Sequence, residues 1–307
     1  RSVTFEVQKM LKIKSGTYKV LLYILLRLPD IFYSTLFAVA FPVYKALHTK
    51  RAYGRVARHL EKARRFQEQS ANGTPFPLQK TTPRDVFKGI FWNALDSYRG
   101  LAHFRSVEDR IVYENEEIIR EAVKLGPIAA ISIHQGAFEL LHRSLCRYSE
   151  NVHLITDSVG DQTFRKVLKE LRSTPHLTEY HPEETGKLIR NLFSRNGSSN
   201  GILAMVVDQG RNTKGNSVEL FGRKSTLYLR LPQKVNQMGA GIVIFRTWTE
   251  SSPLRRIIIR FEKYYPPKSD GLIEDITKEI ETWIAEHPEQ WSWNYHQNFR
   301  KAQDSPR

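Results

Sequence analysis

The sequence predicts an α/β fold with a mostly parallel central sheet flanked by helices, preceded by a helical N-terminal segment that associates with a membrane. After residue 127, short apolar runs alternate with helical patterns of ten or more residues, which is typical of a parallel sheet covered on both faces. Hydrophobic residues make up 40% and charged residues 26% of the 307-residue chain, as in an ordinary globular protein. The single cysteine excludes a disulfide framework and favours a reducing, cytosol-facing compartment.

The N-terminal segment carries the main concentration of apolar residues. Its longest run without a charge, residues 31–44, has 14 residues, whereas a membrane-spanning helix needs about 20. Arg27 and Pro29 interrupt the stretch further. We therefore expect an interfacial helix or helical hairpin, with a buried helix pair as the alternative. The predicted division is a membrane-interface segment over residues 1–68 and an α/β domain over residues 69–307.

Positive charge is concentrated at the same end of the chain. The whole sequence has 47 basic and 32 acidic residues, and residues 1–65 contain 14 of the basic but only 3 of the acidic ones. Such a segment needs a negatively charged partner, either anionic lipid or nucleic acid. Because its cations surround an apolar stretch, which a bilayer requires and a duplex does not, the predicted partner is anionic membrane lipid and not nucleic acid.

The helices and the loop that precede the sheet are predicted from residue patterns and from the residues that begin and end helices. Residues 52–68 have the pattern of a basic surface helix, and residues 70–85 are rich in turn formers and indicate a loop. Asp85 is positioned to cap a helix over 86–100. Another helix is expected over 107–125.

The α/β region itself is predicted from apolar periodicity. The expected strands are 128–133, 152–156, 201–207, 240–248 and 254–262. The expected helices are 136–148, 163–173, 184–196, 227–238 and 271–288.

The stretch ISIHQGAFEL, residues 131–140, contains the strongest candidate for chemistry. His134 follows an apolar strand, and ligands of open α/β sheets bind beyond the carboxyl ends of the strands. Gly136 allows a close backbone approach. Glu139 lies one turn into the next helix, where its carboxylate can orient the imidazole and make its other nitrogen a better base. The alternative is a structural histidine at a strand end. The spacing to His142 does not fit a metal site, so no metal is predicted.

Two other parts of the sequence bear on the location of a functional site. GSSNG, residues 197–201, fits the G-x-S-x-G pattern of serine hydrolases, but a helix precedes it and a strand follows, which is the reverse of the required order. Asp208 follows the strand over 201–207, so it either faces the same site as His134 or caps the next turn.

Five blocks along the chain together resemble one family. They are IAAISIHQGAFELL (128–141), FRKVLKELR (164–172), MVVDQGRNTKGNSVELFG (205–222), MGAGIVIFR (238–246) and PEQWSW (288–293). Their content and order resemble the lysophospholipid acyltransferase superfamily, and more specifically its branch of late acyltransferases of lipid A biosynthesis and related mannoside acyltransferases. The resemblance covers nearly all of the chain after the N-terminal segment.

This resemblance implies transfer of a fatty acyl group from a thioester of acyl carrier protein or coenzyme A to a hydroxyl of a glycolipid, first of all a lipid A precursor. His134 is then the base and Glu139 its orienting partner, with no cofactor besides the thioester co-substrate. The implied location is the cytoplasmic face of a bacterial inner membrane. Another phospholipid or glycolipid acceptor, or a non-catalytic basic protein that binds anionic lipid or nucleic acid, remain the alternatives.

The resemblance also implies a set of substrate-binding residues. They are Gly136, Arg172, Asp208, Gln209, Arg211 and Arg246. Backbone N–H groups near Gly136, or an arginine, are expected to stabilise the oxyanion. Arg172 and Arg211 are expected to bind phosphate or carboxylate on the acceptor, because a guanidinium binds both bidentately. Arg246 is either a substrate ligand or a surface cation, and the tryptophans of PEQWSW are expected to pack the last segment onto the body.

Overall fold

The computed structural model of the protein describes residues 23–48, 52–69, 77–156, 162–194, 200–209, 214–250 and 255–293, together with Thr17 and Val20. The predicted residue Arg211 lies outside the described residues.

A seven-stranded sheet forms the centre of the fold. Its strands are β1 (Ile111–Glu114), β2 (Ile128–Ser132), β3 (Val152–Ile155), β4 (Leu177–Tyr180), β5 (Ile202–Val206), β8 (Gly241–Thr249) and β9 (Ile257–Tyr265), in the order β1-β9-β8-β2-β5-β3-β4. Among the described strands of this sheet, only the β8–β9 pair is antiparallel, so the predicted mostly parallel sheet is confirmed. The strands β6 (Asn216–Leu220) and β7 (Arg223–Leu227) form a separate antiparallel hairpin.

The central strand β2 shows why this sequence forms a parallel sheet. All five of its residues are buried, because helices cover both faces. Ile128 pairs with Ile202 of β5 on one side and with Gly241 of β8 on the other. Side chains alternate along the strand, so Ala129 and Ile131 enter one hydrophobic core and Ile128 and Ala130 the other.

Helices pack on both faces of the sheet, and the first of them packs instead on a neighbouring helix. They are α1 (Asp30–His48), α2 (Gly54–Gln69), α3 (Pro83–Ala102), α4 (Arg105–Glu108), α5 (Glu116–Leu125), α6 (Leu141–Leu145), α7 (Gln162–Arg172), α8 (Thr185–Phe193), α9 (Arg230–Gln237) and α10 (Leu272–Glu286). Short 3₁₀ turns lie at Pro77–Gln79, Phe138–Leu140, Pro182–Glu184 and Pro288–Gln290.

The start of α3 differs in detail from the prediction. The capping residue is Thr82, whose hydroxyl accepts from the backbone N–H of Asp85, while the Asp85 carboxylate accepts from the N–H of Thr82. Asp85 is therefore the third residue of a capping box and not the cap itself.

The single helix predicted over 107–125 is wrong. The chain instead forms α4, β1 and α5 in succession. Ile111–Glu114 pairs in parallel with β9, and Asn115 then adopts a left-handed conformation with φ of 56°, which separates the strand from α5. Pairing with a strand more than 140 residues away overrides the local helical pattern here.

The N-terminal helix α1 packs apolar side chains against α3. In α1, Tyr33 and Phe41 are buried and pack near Phe91 and Phe87 of α3, with ring centroids 6.3 and 6.1 Å apart. Among the described residues, no helix combines the length and the hydropathy needed to cross a bilayer.

The second helix, α2, is more deeply embedded than the predicted surface helix. Val56, Leu60 and Ala63 belong to the main hydrophobic core beside the sheet. The division predicted after residue 68 stays a prediction.

Candidate active site

His134 and Asp208 extend from two adjacent strands at the same level. Ser132 pairs with Val206 at the carboxyl ends of β2 and β5, and each of the two candidate residues comes two positions later. The N–H of Val207 donates to the Ser132 carbonyl at 2.9 Å, which continues the pairing beyond the strands. Parallel register therefore places the imidazole and the carboxylate side by side, at the edge of the sheet where ligands of α/β proteins bind.

The Asp208 carboxylate contacts His134 in two ways. The Nδ1 atom of the imidazole lies 2.7 Å from Oδ1, and the backbone N–H of His134 donates to Oδ1 and Oδ2 at 3.1 and 3.2 Å. Because an ionised carboxylate only accepts hydrogen bonds, this contact places the ring proton on Nδ1 and leaves Nε2 as the basic nitrogen. The His134 side chain is 16% exposed and that of Asp208 is 3% exposed, so the pair lies at the protein surface with its carboxylate buried.

Trp291 completes this arrangement from the C-terminal block. Its indole Nε1–H donates to Oδ2 of Asp208 at 2.9 Å. The ring is buried, and its neighbour Trp293 is buried as well, so both tryptophans pack onto the body. Trp291 thus also fixes the second oxygen of the carboxylate that holds the imidazole.

The turn after His134 is clamped between β8 and the C-terminal block. Gly136 has φ of 58°, and a Cβ atom there would come within 2.5 Å of the Thr247 carbonyl oxygen, so only glycine fits. Its N–H donates to the Gln290 carbonyl at 3.2 Å. The N–H of Gly136 itself is therefore engaged within the protein, and the expectation that backbone N–H groups near Gly136, or an arginine, stabilise an oxyanion stays a prediction.

Glu139 does not contact the imidazole as predicted. The expected helix over 136–148 begins with the 3₁₀ turn Phe138–Leu140 and becomes the short α6 only at Leu141. This turn places the Phe138 ring against that of His134, with centroids 4.6 Å apart. Both hydrogen bonds of the Glu139 carboxylate come from Arg172 instead, so Asp208 replaces Glu139 as the carboxylate on His134.

Glu139, Arg172 and Glu179 form a partly buried ion-pair network. Arg172 donates from Nε and Nη2 to Glu139 at 2.8 and 2.5 Å, and its Nη1 lies 3.5 Å from Glu179. Burial alone would raise the pKa of Glu139, but the charge and hydrogen bonds of Arg172, with nearby His142 and His134, hold that pKa below its usual range. Burial disfavours the charged form of Arg172 in turn, yet the glutamates raise its pKa overall. The network ties the turn after His134 to α7 and β4.

His142 lies buried beside this network as a neutral imidazole. Its Nε2 atom has no hydrogen-bond partner among the described residues. Burial lowers its pKa to about 4, and the attraction of Glu139 offsets only part of that effect.

The remaining predicted residues lie outside the His134–Asp208 pair. Arg246 is buried and donates to Glu262 and Glu286, both at 2.5 Å, which is neither a surface position nor an open substrate ligand. We assign it no contact with substrate. Gln209 follows Asp208 and is half-buried, and its role in substrate binding stays a prediction.

The fold and the site define an α/β protein with a histidine–aspartate pair at the carboxyl edge of a parallel sheet. A family model described as bacterial lipid A biosynthesis acyltransferase matches residues 91–301, which is 211 of the 307 residues. The chain belongs to this family and is an acyltransferase of lipid A biosynthesis. A comparison with curated proteins gives no match.

Sequence reasoning left Asp208 as either a site residue or the cap of a turn, and gave the orienting role to Glu139. The signal for the correct pairing was present, because His134 and Asp208 each follow an apolar strand that ends in the same way. The hydrogen bond from Trp291 had no such signal, since it depends on where the C-terminal block packs.

Proposed function

We propose that the protein transfers a fatty acyl group from an acyl thioester to a hydroxyl of a lipid A precursor, with His134 as general base and Asp208 as its orienting carboxylate. The 2.7 Å contact between Nδ1 of His134 and Oδ1 of Asp208 carries this proposal. It leaves Nε2 as the atom that takes the proton, as general-base catalysis by a histidine requires.

The reaction needs no nucleophile from the enzyme. Nε2 of His134 takes the proton of the acceptor hydroxyl as its oxygen attacks the thioester carbonyl carbon. The tetrahedral intermediate then expels the thiolate, which receives that proton from the imidazolium, so an ester and a free thiol are formed. Asp208 stabilises the imidazolium between the two steps, and a positioned base of this kind contributes about 10²–10⁴-fold to the rate.

Glu139 and Arg172 position the side chain of His134. The bidentate ion pair holds the turn that carries Phe138, and the Phe138 ring packs against the imidazole. We therefore assign Glu139 and Arg172 to positioning the His134 ring. The side chain of Arg172 remains 15% exposed, and its binding of an anionic group on the acceptor stays part of the proposal.

The proposed membrane contact is α1 together with the residues before it, on the cytoplasmic face of a bacterial inner membrane. Eleven large hydrophobic side chains are exposed among the described residues, and nine of them lie between residues 20 and 47. They are Val20, Ile24, Leu25, Ile31, Phe32, Leu36, Val39, Val43 and Leu47. An apolar face of this size, with cations in the flanking sequence, fits a helix lying in the headgroup region of an anionic bilayer.

The thioester donor, bound to acyl carrier protein or to coenzyme A, serves as co-substrate, and the proposal includes no further cofactor. An acceptor panel of a lipid A precursor, a lysophospholipid and another glycolipid tests the acceptor class. The proposal requires the lipid A precursor to give the highest kcat/KM.

Replacement of His134 by alanine tests the chemistry. We expect H134A to lose at least about a hundredfold in acceptor-dependent release of free thiol, as the loss of a general base predicts. The matched control is H176A, because His176 is an exposed histidine of the same chain. Equal turnover by H134A and wild type would refute the proposed base.

A further inference from the structure

A cavity lies beside the candidate active site. Its volume is about 920 Å³, and it is bounded by the segment before α1, the C-terminal half of α3 and the end of α7. Leu171 and Ser173 line it on either side of Arg172 in sequence, but His134 and Asp208 do not. The cavity therefore shares a helix with the site and is separate from the catalytic pair.

Of the residues that the structure describes, six arginines and two acidic residues line this cavity. They are Arg27, Arg99, Arg105, Arg110, Arg143 and Arg255, with Asp30 and Glu170. The excess of positive charge makes the cavity a candidate site for an anion.

Three of the arginines are held by the protein itself. Arg99 donates to Asp30 at 2.5 Å and to the carbonyls of Leu26 and Leu28. Arg110 and Arg255 share the buried carboxylate of Asp96. These contacts build a wall of the cavity and leave little capacity for a ligand.

The other three arginines supply the binding capacity. No carboxylate among the described residues lies within 4 Å of Arg27, Arg105 or Arg143. Arg143 donates once, to the Gly100 carbonyl at 3.0 Å, and lies over the Phe104 ring at 4.9 Å. Arg27 and Arg105 are exposed. Three guanidinium groups without acidic partners around one cavity can bind the oxygens of a phosphate through charge-assisted hydrogen bonds.

The lining of the cavity is continuous in sequence with apolar surface. Leu26 and Leu28 line it, and the exposed side chains of Ile24 and Leu25 precede them at the start of the apolar face described above. A ligand with a phosphate at one end and acyl chains at the other can therefore place its head among the arginines and its chains along that face. We propose that this cavity binds the phosphomonoester head of an anionic lipid, at a position separate from the reacting hydroxyl.

Titration of the full-length protein with dioctanoyl phosphatidic acid tests this site directly. Dioctanoyl phosphatidylcholine has the same chains without net charge, and inorganic phosphate has the charge without the chains. We expect saturable binding of the phosphatidic acid and at least about tenfold weaker binding of each comparator, because both the charge and the apolar part contribute.

Paired variants assign the binding to the cavity. R27Q/R105Q removes two exposed charges from its lining, and we expect at least about tenfold weaker binding of the phosphatidic acid. The control K187Q/R190Q removes the same charge from exposed positions of α8, and binding should stay within about twofold of wild type. R143Q should weaken binding of the phosphatidic acid to a similar extent. Because Arg143 also packs on Phe104, the melting temperature of R143Q is measured as well, to show that the variant is folded.

Three results would overturn the inference. They are equal affinity of R27Q/R105Q and wild type, equal affinity for phosphatidylcholine, and binding of inorganic phosphate as tight as that of the lipid. Binding is measured without acyl transfer, so failure here leaves the His134 chemistry untouched, and loss of turnover in H134A leaves this site untouched.

Discussion

Asp208 holds His134 through both the imidazole and the backbone, although 74 residues separate them in sequence. Oδ1 lies 2.7 Å from Nδ1, and both oxygens accept from the His134 backbone N–H. The Asp208 carboxylate therefore fixes both the backbone position of His134 and the proton on Nδ1. An ion pair between the side chains alone would not hold the His134 backbone.

Replacement of Trp291 by phenylalanine should reduce turnover without abolishing it. W291F keeps a buried aromatic ring but removes the Nε1–H donor to Asp208 Oδ2, leaving a buried carboxylate oxygen without that hydrogen bond. We expect kcat to fall about tenfold with KM nearly unchanged, since a lost hydrogen bond to a charged group is worth about 1.5–3 kcal/mol. W293F is the matched control, because the Trp293 Nε1–H donates to the Pro288 carbonyl instead. Equal losses in the two variants would contradict a specific role of Trp291.

Replacement of Glu139 by glutamine should destabilise the protein. The change leaves Arg172 partly buried with only the more distant Glu179, and breaking such a pair costs about 3 kcal/mol. The measurement is the free energy of unfolding in urea at about pH 7.5, where both partners are charged. Adding R172M should recover part of the loss, because it removes the charge left without its partner. No recovery in E139Q/R172M would show that the two residues act independently.

Replacement of Gly136 by alanine should be among the most disruptive single changes in the site. A Cβ atom there would overlap the Thr247 carbonyl, and φ of 58° strains any other residue, so we expect a loss of at least about 3 kcal/mol. G186A is the control, because a Cβ atom added at Gly186, in α8, would have no atom within 4 Å. It should be neutral or stabilising by about 0.5–1 kcal/mol. A G136A protein as stable as wild type would contradict the clamped turn.

His142 should make the protein less stable in mild acid. The unfolded imidazole has a pKa of about 6.5 and the folded one about 4, so stability is complete above pH 6.5 and falls as the pH drops toward 4. This single group accounts for about 2 kcal/mol of the loss between about pH 7.5 and pH 5. Urea unfolding of H142N should show a correspondingly shallower pH dependence, with H176N as control. If the free energy of unfolding of H142N depended on pH as strongly as that of wild type, His142 would not be a cause of the loss of stability in acid.

The strands that carry the site could be predicted because each is a short apolar run flanked by turn residues, as in 128–133 and 201–207. The edge strand β1 could not, since Ile111–Glu114 is extended only through its pairing with β9. The hairpin of β6 and β7 could not be predicted either. It lies in a polar stretch, and its two strands are extended because they pair with each other.

The location of the proposed catalytic residues was predictable, but their partners were not. His134 and Asp208 share a strand-end context that the sequence displays. Glu139 binds Arg172 because the chain after His134 forms a 3₁₀ turn instead of continuing as an α-helix, which changes the direction of the side chain. No local pattern encodes that choice, and the close approach of Gly136 to Thr247 just before the turn depends on residues far away in sequence.

The kcat of D208N, measured beside that of E139Q, tests the central claim most directly. The assay is acceptor-dependent release of thiol from an acyl thioester, with unfolding curves to show that both variants are folded. If Asp208 orients the base, D208N loses about 10²–10⁴ in kcat with little change in KM, and E139Q loses less. Wild-type kcat in D208N, together with an inactive E139Q, would contradict the account and return the orienting role to Glu139.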